Sequence, residues 1–554
     1  MRRSRSAVVA AAPPPPPVPN LPEVTLDRGL HAIGSPRAIH PLFSQLHAGE
    51  PIVIGVLGAS VGQNAGCLDQ GRKRCMMFSG REGPRFKPFK GFAVRLLDHI
   101  NRSYPHANHQ INNSALDATP LQTVETCLLS HLPPRLHLVI IDFGSMAQHQ
   151  EMASLEGVVR ILTSLTPAPL VLMVSIHEWC TQRISPRKPY AMGDFLAGSL
   201  AHHGYVYPST PWSMAENECS RVCEHYGQAC VSVHSALWPH VAAKDDGFGL
   251  TDVVGPDCMH PRGGRYGVPY ITQLLTHWFD TAHDLWLRVN SSRPKLLRSG
   301  RQQVHMPRPI HARNQDGFST SARCMQFTRA GGRLPPRNAK ARPVVWCSGG
   351  SLELSKGAIR TREECWSTAG QCPKELGNQP TRNPDAAVAI LRDLLAKPPD
   401  TWFWCDVSLN HARKPSQGVV ALRPGAVMMA RADALVGDVE PNSTGLGVTI
   451  LIEHMVSYEG MGVAAVRCGS GCVCEEQRID AHRAGEVRDV SVFRRHSFAA
   501  HALASGAPCE LRFEVLAATS SGGHKFKVRG LTIRPTAPPS QRARGSGDRT
   551  GEGD

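Results

Sequence analysis

Two short stretches of the chain carry residues that could perform nucleophilic chemistry together. The first is an apolar run, Ile52 to Leu57, that stops at Gly58-Ala59 and is followed at once by Ser60. A buried strand that ends in a glycine turn presents the next hydroxyl at the C-terminal edge of a sheet, where ligands gather in α/β proteins. An ordinary N-capping serine gives the same local pattern. Ser60 is therefore a candidate nucleophile only if a base lies elsewhere in the chain.

The second stretch is Asp257-Cys258-Met259-His260. An Asp and a His three residues apart on one loop can meet, so that the carboxylate orients the imidazole while the other ring nitrogen faces a serine. A histidine taken singly among the 26 of this chain is more often a surface or core residue. The preceding Asp257 and the following Pro261 favour a catalytic interpretation. Ser60 is then the nucleophile, His260 the base and Asp257 the acid that orients it.

These residues, with two further blocks between them, resemble the SGNH/GDSL-type hydrolase family, in particular its green-algal two-domain members. Residues 58–60 stand for the first block of the family and residues 257–260 for its fifth. Residues 113–120 and 142–146 stand for the second and third blocks, and the whole set spans about residues 50–280. The resemblance implies a three-layer, flavodoxin-like α/β domain with a parallel sheet. It also implies ester hydrolysis through a serine triad, with no metal and no organic cofactor.

The resemblance implies an oxyanion hole as well, and here the sequence departs from the family. One donor is the backbone N–H of Ser60, and the second falls on Ala118, where the family has a glycine. Alanine also has a backbone N–H, which can act as the donor provided that the turn does not require a positive φ at this residue. The third donor, an asparagine side chain in the family, falls on Met146, whose thioether donates no hydrogen bond. Since one lost donor lowers turnover by about 10²–10³-fold, we expect a slow esterase.

Two functions are compatible with this site. In the first, the protein is a serine esterase that hydrolyses an O-acyl ester, with a carbohydrate O-acetyl group or another polysaccharide ester as candidate substrates. In the second, it is a catalytically weak or inactive relative that binds glycan. The presence together of Ser60, Asp257 and His260 favours the first.

The net charge of +15 raises a third possibility, nucleic-acid binding. Thirteen Lys and Arg residues and a single acid, Asp316, lie between Arg288 and Arg342, among Pro, Ser, Gly and His. This composition is typical of a solvated linker extended by self-repulsion. Because the excess charge lies on a tether and not on a folded face, we expect no nucleic-acid partner.

The length and spacing of the apolar runs along the chain predict two folded domains. Continuous runs such as 136–143, 170–176 and 229–233 are typical of buried parallel strands, so the first domain is predicted to be α/β. Beyond the linker, short runs separated by Gly, Pro and Ser predict a mainly-β sandwich or jelly roll, interrupted by one helical patch at 385–395. The predicted divisions are a Pro-rich tail (1–49), the α/β domain (50–282), a basic disordered linker (283–342), the mainly-β domain (343–534) and a disordered tail (535–554).

Cysteine usage indicates the compartment. The chain has 17 cysteines, several in close sets, without the paired C-x-x-C spacing of a zinc site. Disulfides in an oxidising compartment explain them better, which predicts a secretory or extracellular protein. Residues 1–12 are basic and then apolar, but the prolines from Pro13 leave no convincing signal-peptide core. No run approaches the roughly 18–20 apolar residues of a membrane span.

Overall fold

The structure of the chain is a computed structural model. It describes residues 20–64, 68–69, 73–74, 90–116, 119–125, 127–142, 144, 146, 152–177, 179, 211–254, 260–263, 266–292, 306–314, 323–326, 352–354, 402–408, 411–432, 446–458, 460–483, 491–503 and 508–536. The predicted helical patch at 385–395 lies outside these residues.

A mostly parallel sheet organises the first domain. Its region contains β1 (Leu30–Ile33), β2 (Val53–Gly58), β3 (Leu68–Asp69), β4 (Lys73–Arg74), β5 (Gln110–Asn113), β6 (Leu138–Asp142), β7 (Leu170–Ser175) and β8 (Ala229–Ser232). The spatial order is β1-β8-β7-β6-β2-β5, while β3 and β4 pair separately. β1 is antiparallel to β8, and the other neighbours are parallel. The prediction of a parallel sheet is confirmed.

Helices cover both faces of this sheet. They are α1 (Glu23–Gly29), α2 (Pro36–His47), α3 (Ser60–Asn64), α4 (Phe92–Ser103), α5 (Gln122–Glu125), α6 (Leu128–His131), α7 (Met152–Thr163), α8 (Pro211–Tyr226), α9 (Val233–Ala243), α10 (Leu250–Val253) and α11 (Gly267–Ser292). Alternate residues of β6 divide between two cores because side chains alternate across a strand. Leu138 and Ile140 pack with α2, α4 and α11, whereas Val139 and Ile141 pack with α7 and α8. The three-layer α/β prediction is confirmed.

The N-terminal region differs from the predicted tail, because residues 20–49 are part of the α/β domain. α2 is capped by Ser35, whose side chain accepts a hydrogen bond from the N–H of Ala38. Its apolar face buries Ile39, Leu42, Phe43 and Leu46 in the domain core. The Ser-Pro start and the three- and four-residue spacing of these apolar side chains were the available sequence signals.

The second domain consists of antiparallel strands. They are β9 (Arg323–Gln326), β10 (Leu352–Leu354), β11 (Phe403–Ser408), β12 (His411–Ala421), β13 (Val427–Ala432), β14 (Leu446–Val456), β15 (Val463–Cys468), β16 (Cys472–Val473), β17 (Gln477–Asp480), β18 (Val492–Ala502), β19 (Cys509–Val515) and β20 (Phe526–Pro535). One sheet has the order β10-β13-β19-β15-β17; the other has β11-β12-β20-β14-β18-β16, with β9 against β20. Both contribute to one core around Trp402, Phe513 and Phe526. The mainly-β prediction is confirmed.

Part of the predicted linker is structured. α11 continues to Ser292, and residues 306–314 lie against α7. There the carboxylate of Glu156 accepts hydrogen bonds from the backbone N–H groups of Ile310 (2.5 Å) and His311 (2.9 Å). A buried carboxylate needs such donors, and a segment that supplies them is ordered despite its basic composition.

β9 joins the two domains covalently. It pairs with β20 in the second domain. The Sγ atom of its Cys324 lies 2.15 Å from that of Cys127, between α5 and α6 of the first domain. Within the described ranges, three further pairs lie at disulfide distance: Cys223–Cys230, Cys468–Cys474 and Cys472–Cys509. Cysteine pairing across and within domains agrees with the sequence prediction of disulfides.

Among the described helices, none combines the length and the apolar composition that crossing a bilayer requires.

The cross-domain disulfide generates a prediction for limited proteolysis. A trypsin cut in the basic segment between residues 288 and 323 leaves Cys127 and Cys324 on different pieces, which should stay linked through this pair. A non-reducing gel should show one species of nearly full size, and a reducing gel should show two fragments. Cys324→Ala provides the control, since its nicked chain should give two fragments without reductant. Two separate fragments from the non-reduced wild type, the second of which begins between residues 289 and 323, would contradict the pairing.

Candidate functional site

The structure brings Ser60 and His260 into contact. Ser60 is the first residue of α3, two residues after the end of β2, and its Oγ lies 2.6 Å from Nε2 of His260. His260 belongs to a short segment held by a β-bridge between Val254 and Pro261 and by the Arg262 N–H to the Val253 carbonyl oxygen (2.9 Å). A hydroxyl and an imidazole at this distance have the geometry that a serine nucleophile and its general base require.

A close approach between β2 and β6 sets the position of Ser60. A Cβ added to Gly58, whose φ is +154°, would lie 2.4 Å from the carbonyl oxygen of Asp142. Any larger residue would therefore push the two strand ends apart. One turn further on, the N–H of Gly62 donates to Oδ2 of Asp142 over 2.6 Å. These contacts hold the start of α3 against the end of β6.

The predicted second block lies beside the nucleophile. Following β5, the N–H of Ser114 donates to the carbonyl oxygen of Val56 (2.8 Å), and that of Leu116 donates to Gly58 (2.9 Å). The side-chain amide of Asn113 donates to the carbonyl oxygen of Gly62 over 3.1 Å. The chain from β5 therefore runs along the turn that carries Ser60. Asp257 and Ala118, the other predicted triad and oxyanion residues, lie outside the described residues.

Asp142 is a buried titratable group at this site that the sequence indicated only as part of the third block. Burial raises the pKa of its carboxyl to about 7; the N–H of Gly62 and the positive charge of His260 act in the opposite direction. Its Oδ1 is buried without a hydrogen-bond partner. The sequence signal for a buried titratable group was a charged residue near the end of the apolar run at 136–143. At neutral pH this carboxyl is poised between its two charge states.

Met146 lies in an apolar cluster shared by the two domains. It is 6% exposed and packs with Ala59, next to the nucleophile, and with Val456 and Val492 of the second domain. The position where the resemblance implies an oxyanion donor is therefore an apolar contact. The second domain closes one side of the site beside Ser60.

Arg529, on β20, connects the second domain to the predicted oxyanion segment. Its guanidinium is buried and donates from Nη1 to Oγ1 of Thr119 (2.8 Å). It also forms an ion pair with Glu453 and lies 3.8 Å from the ring centroid of Phe493. Because Thr119 directly follows Ala118, this bond restrains the segment from which an oxyanion N–H would come. No sequence pattern could have identified Arg529, since the contact joins residues 410 positions apart.

Groups of three metal-ligating side chains lie away from Ser60 and His260 within the part of the chain that the structure describes. One consists of Cys468, Cys472 and Cys509. These sulfur atoms take part in the disulfide-distance pairs given above, so they are not a metal centre. The second group, at the ends of β7 and β8, is treated below.

Comparison with known proteins identified relatives only among solved structures. No protein-family profile and no curated protein matches the chain. A two-domain esterase active on acetylated mannans, co-crystallised with mannopentaose, is 14% identical with a TM-score of 0.48, over 93% of this chain and 98% of that one. An extracellular lipase from Streptomyces rimosus is 12% identical with a TM-score of 0.26, over 42% of this chain and 99% of that one. Both are hydrolases that act on ester bonds.

The raised pKa of Asp142 generates a prediction for stability against pH. Because the pKa in the folded state, about 7, exceeds the unfolded value of 3.8, folding is favoured by the proton on this carboxyl. Its contribution to the free energy of unfolding should fall by a few kcal/mol as the pH rises from about 4 to about 7. Above pH 7 this contribution should stay constant. Asp142→Asn keeps the acceptor for Gly62 and does not titrate. Denaturant unfolding from pH 4 to 8 should therefore show wild type losing stability relative to the variant, whereas parallel curves would contradict the assignment.

The burial of Met146 generates a second prediction. Met146→Asn should lower the free energy of unfolding by about 1–3 kcal/mol, because the amide would replace a thioether in an apolar cluster. Met146→Leu, the control, should cost less than about 1.5 kcal/mol. If the position also faces the developing oxyanion, kcat on a small acyl ester should rise between tens and about a thousandfold in the asparagine variant alone. A folded Met146→Asn protein with unchanged kcat would remove this residue from the oxyanion hole.

Proposed function

We propose that the protein is a serine esterase of the SGNH/GDSL type that hydrolyses an O-acyl ester. The observation that carries the proposal is the 2.6 Å contact between Ser60 Oγ and His260 Nε2 at the carboxyl edge of a parallel sheet. His260 would accept the proton of Ser60 as its oxygen attacks the ester carbonyl. It would then return the proton to the departing alcohol, and water would release the acyl group by the same route.

Asp257 is proposed as the acid that orients His260, from its place three residues earlier in the chain. The oxyanion donors proposed are the backbone N–H groups of Ser60 and Ala118, with Met146 in place of the side-chain donor. The Arg529 contact with Thr119 supports a fixed position for the segment that contains Ala118. Two backbone donors without the third are consistent with a slow esterase.

The acyl group is proposed to belong to a polysaccharide. Val456 and Val492 of the second domain pack with Ala59 next to Ser60, so the second domain borders the proposed site. A site bordered by two domains is compatible with a polymeric substrate. An O-acetylated mannan, named for the two-domain esterase, is therefore a useful test substrate, and the relation to green-algal two-domain members is proposed on the sequence blocks alone.

A secretory or extracellular location is proposed as well. The described residues contain four cysteine pairs at disulfide distance, and one of them joins the two domains. Such pairing persists in oxidising compartments and is rare in the cytosol.

Covalent labelling tests the nucleophile. A fluorophosphonate probe should label the wild-type chain and leave Ser60→Ala unlabelled, because His260 activates only the serine that it contacts. Ser291→Ala, at the exposed end of α11, should be labelled like wild type. Release of acetate from O-acetylated mannan should follow the same pattern.

Equal labelling of wild type and Ser60→Ala would refute the proposed nucleophile. A wild-type chain that binds mannan but neither reacts with the probe nor releases acetate would instead support the glycan-binding alternative.

A further inference from the structure

Three buried polar side chains converge at the carboxyl edge of the same sheet, away from the serine. They are His177, two residues after β7; Glu216, on α8; and His234, the second residue of α9. One ligand atom from each lies within 4.8 Å of the other two. Their exposed fractions are 7%, 3% and 7%. The esterase mechanism proposed above uses none of them.

We propose that His177, Glu216 and His234 bind a divalent transition-metal ion, for which Zn²⁺ is the best match. Two imidazole nitrogens and one carboxylate oxygen are ligand types that zinc accepts, and three protein ligands with one water complete a tetrahedral ion. A buried carboxylate is costly unless a positive charge compensates it. A divalent cation between these side chains supplies that charge.

The distance between two of the ligand atoms fits this role. Nδ1 of His234 and Oε2 of Glu216 are 3.6 Å apart, which is too long for a hydrogen bond. Ligands about 2.0–2.1 Å from a tetrahedral zinc ion lie about 3.4 Å from each other. The rings of His177 and His234 are also close, with centroids 4.1 Å apart. The three ligand atoms lie within 4.8 Å of one another, so side-chain rotations are needed to bring all of them to bonding distance of one ion.

A supporting shell already orients the carboxylate. Oε1 of Glu216 accepts hydrogen bonds from the hydroxyls of Ser232 and Ser235, the latter over 2.8 Å. Ser235 in turn contacts Nε2 of His31, on β1, at 2.9 Å. Outer hydrogen bonds of this kind hold metal ligands in position and tune their affinity. The other oxygen, Oε2, is the one that lies 3.6 Å from Nδ1 of His234.

Two tryptophans enclose the cluster. The ring centroid of Trp179 is 5.6 Å from that of His177 and 5.7 Å from that of His234. Trp238 stacks on His234 at 5.6 Å. An apolar surround of this kind limits water access and lowers the local dielectric, which strengthens the attraction between the ion and its ligands.

The expected role of the ion is structural. It would join the segment after β7 to α8 and α9, while β7 lies two strands away from the β2 end that carries Ser60. A Cβ added to Gly144, just after β6, would lie 1.9 Å from the carbonyl oxygen of Ile176, the neighbour of His177. The ion would therefore stabilise the segment against which Gly144 packs. Unlike the catalytic proposal, this inference does not depend on ester hydrolysis.

Zinc titration of the chelator-treated full-length protein tests the proposal. Wild type should bind one Zn²⁺ per chain by calorimetry and melt at a higher temperature with zinc than without it. His234→Gln and Glu216→Gln should lose both effects. Ser235→Ala should bind about 10- to 100-fold more weakly, because it removes an outer hydrogen bond and leaves the three ligands.

The matched control is a second histidine pair. His47 is exposed and His283 is half-buried, and their Nε2 atoms lie 2.9 Å apart, so His283→Gln removes a competing zinc site without changing the buried cluster. It should keep the binding and the stabilisation of wild type. If a buried variant fails to fold, the visible spectrum of Co²⁺ bound to wild type is used instead, and tetrahedral absorption that zinc displaces supports the site. Zinc binding lost in His283→Gln but kept in Glu216→Gln, or no zinc effect on wild type, would overturn the proposal.

Discussion

The contact between the ends of β2 and β6 determines where Ser60, the proposed nucleophile, lies. Gly58 approaches the backbone of Asp142 so closely that no side chain fits at position 58. The Asp142 carboxyl accepts a hydrogen bond from the N–H of Gly62 in the first turn of α3. Ser60 lies between these two points. Because the backbone is held on both sides of Ser60, its hydroxyl lies within reach of His260. The same arrangement buries a carboxyl group whose pKa is raised, which links the geometry of the site to pH.

The second domain is part of the site and not an attachment to it. Arg529 reaches Thr119, the side chain of Arg495 donates to the carbonyl oxygen of Thr123, and Val456 and Val492 pack beside Ala59. Removing Arg529 would leave the charge of Glu453 buried, which is typically costly. The Cys127–Cys324 pair adds a covalent tie close to these contacts. A change in the β-sandwich can therefore alter the chemistry of the α/β domain.

Both proposed sites lie at the same edge of the first sheet. Ser60 follows β2, whereas His177 and His234 follow β7 and β8. Parallel strands end together, so residues that come directly after them are brought to one edge even when they are far apart in the chain. This explains how one small domain can hold a nucleophile–base pair and a cluster of metal-ligand type.

Strand positions followed from local pattern. The apolar runs at 136–143, 170–176 and 229–233 contain β6, β7 and β8, because strands buried on both faces are continuously apolar. In the second domain the short runs located β12 to β15, β19 and β20. β18 was missed, since its alternating burial places polar residues such as Arg494 and His496 between apolar ones. The folded start of the chain was not predicted, because the proline run before it outweighed the helical spacing of the apolar residues in α2.

The sequence by itself determined the residue types available for catalysis and their order, since Ser60 after an apolar strand and Asp257 three residues before His260 are local patterns. It also determined the division into α/β and β domains, because periodicity depends on near neighbours. Only the tertiary structure decided that His260 meets Ser60, that Arg529 reaches Thr119, and that Met146 packs against the second domain. It also decided that His177, Glu216 and His234 converge. These contacts join distant parts of the chain through sheet order and domain packing, and no local pattern of residues encodes them.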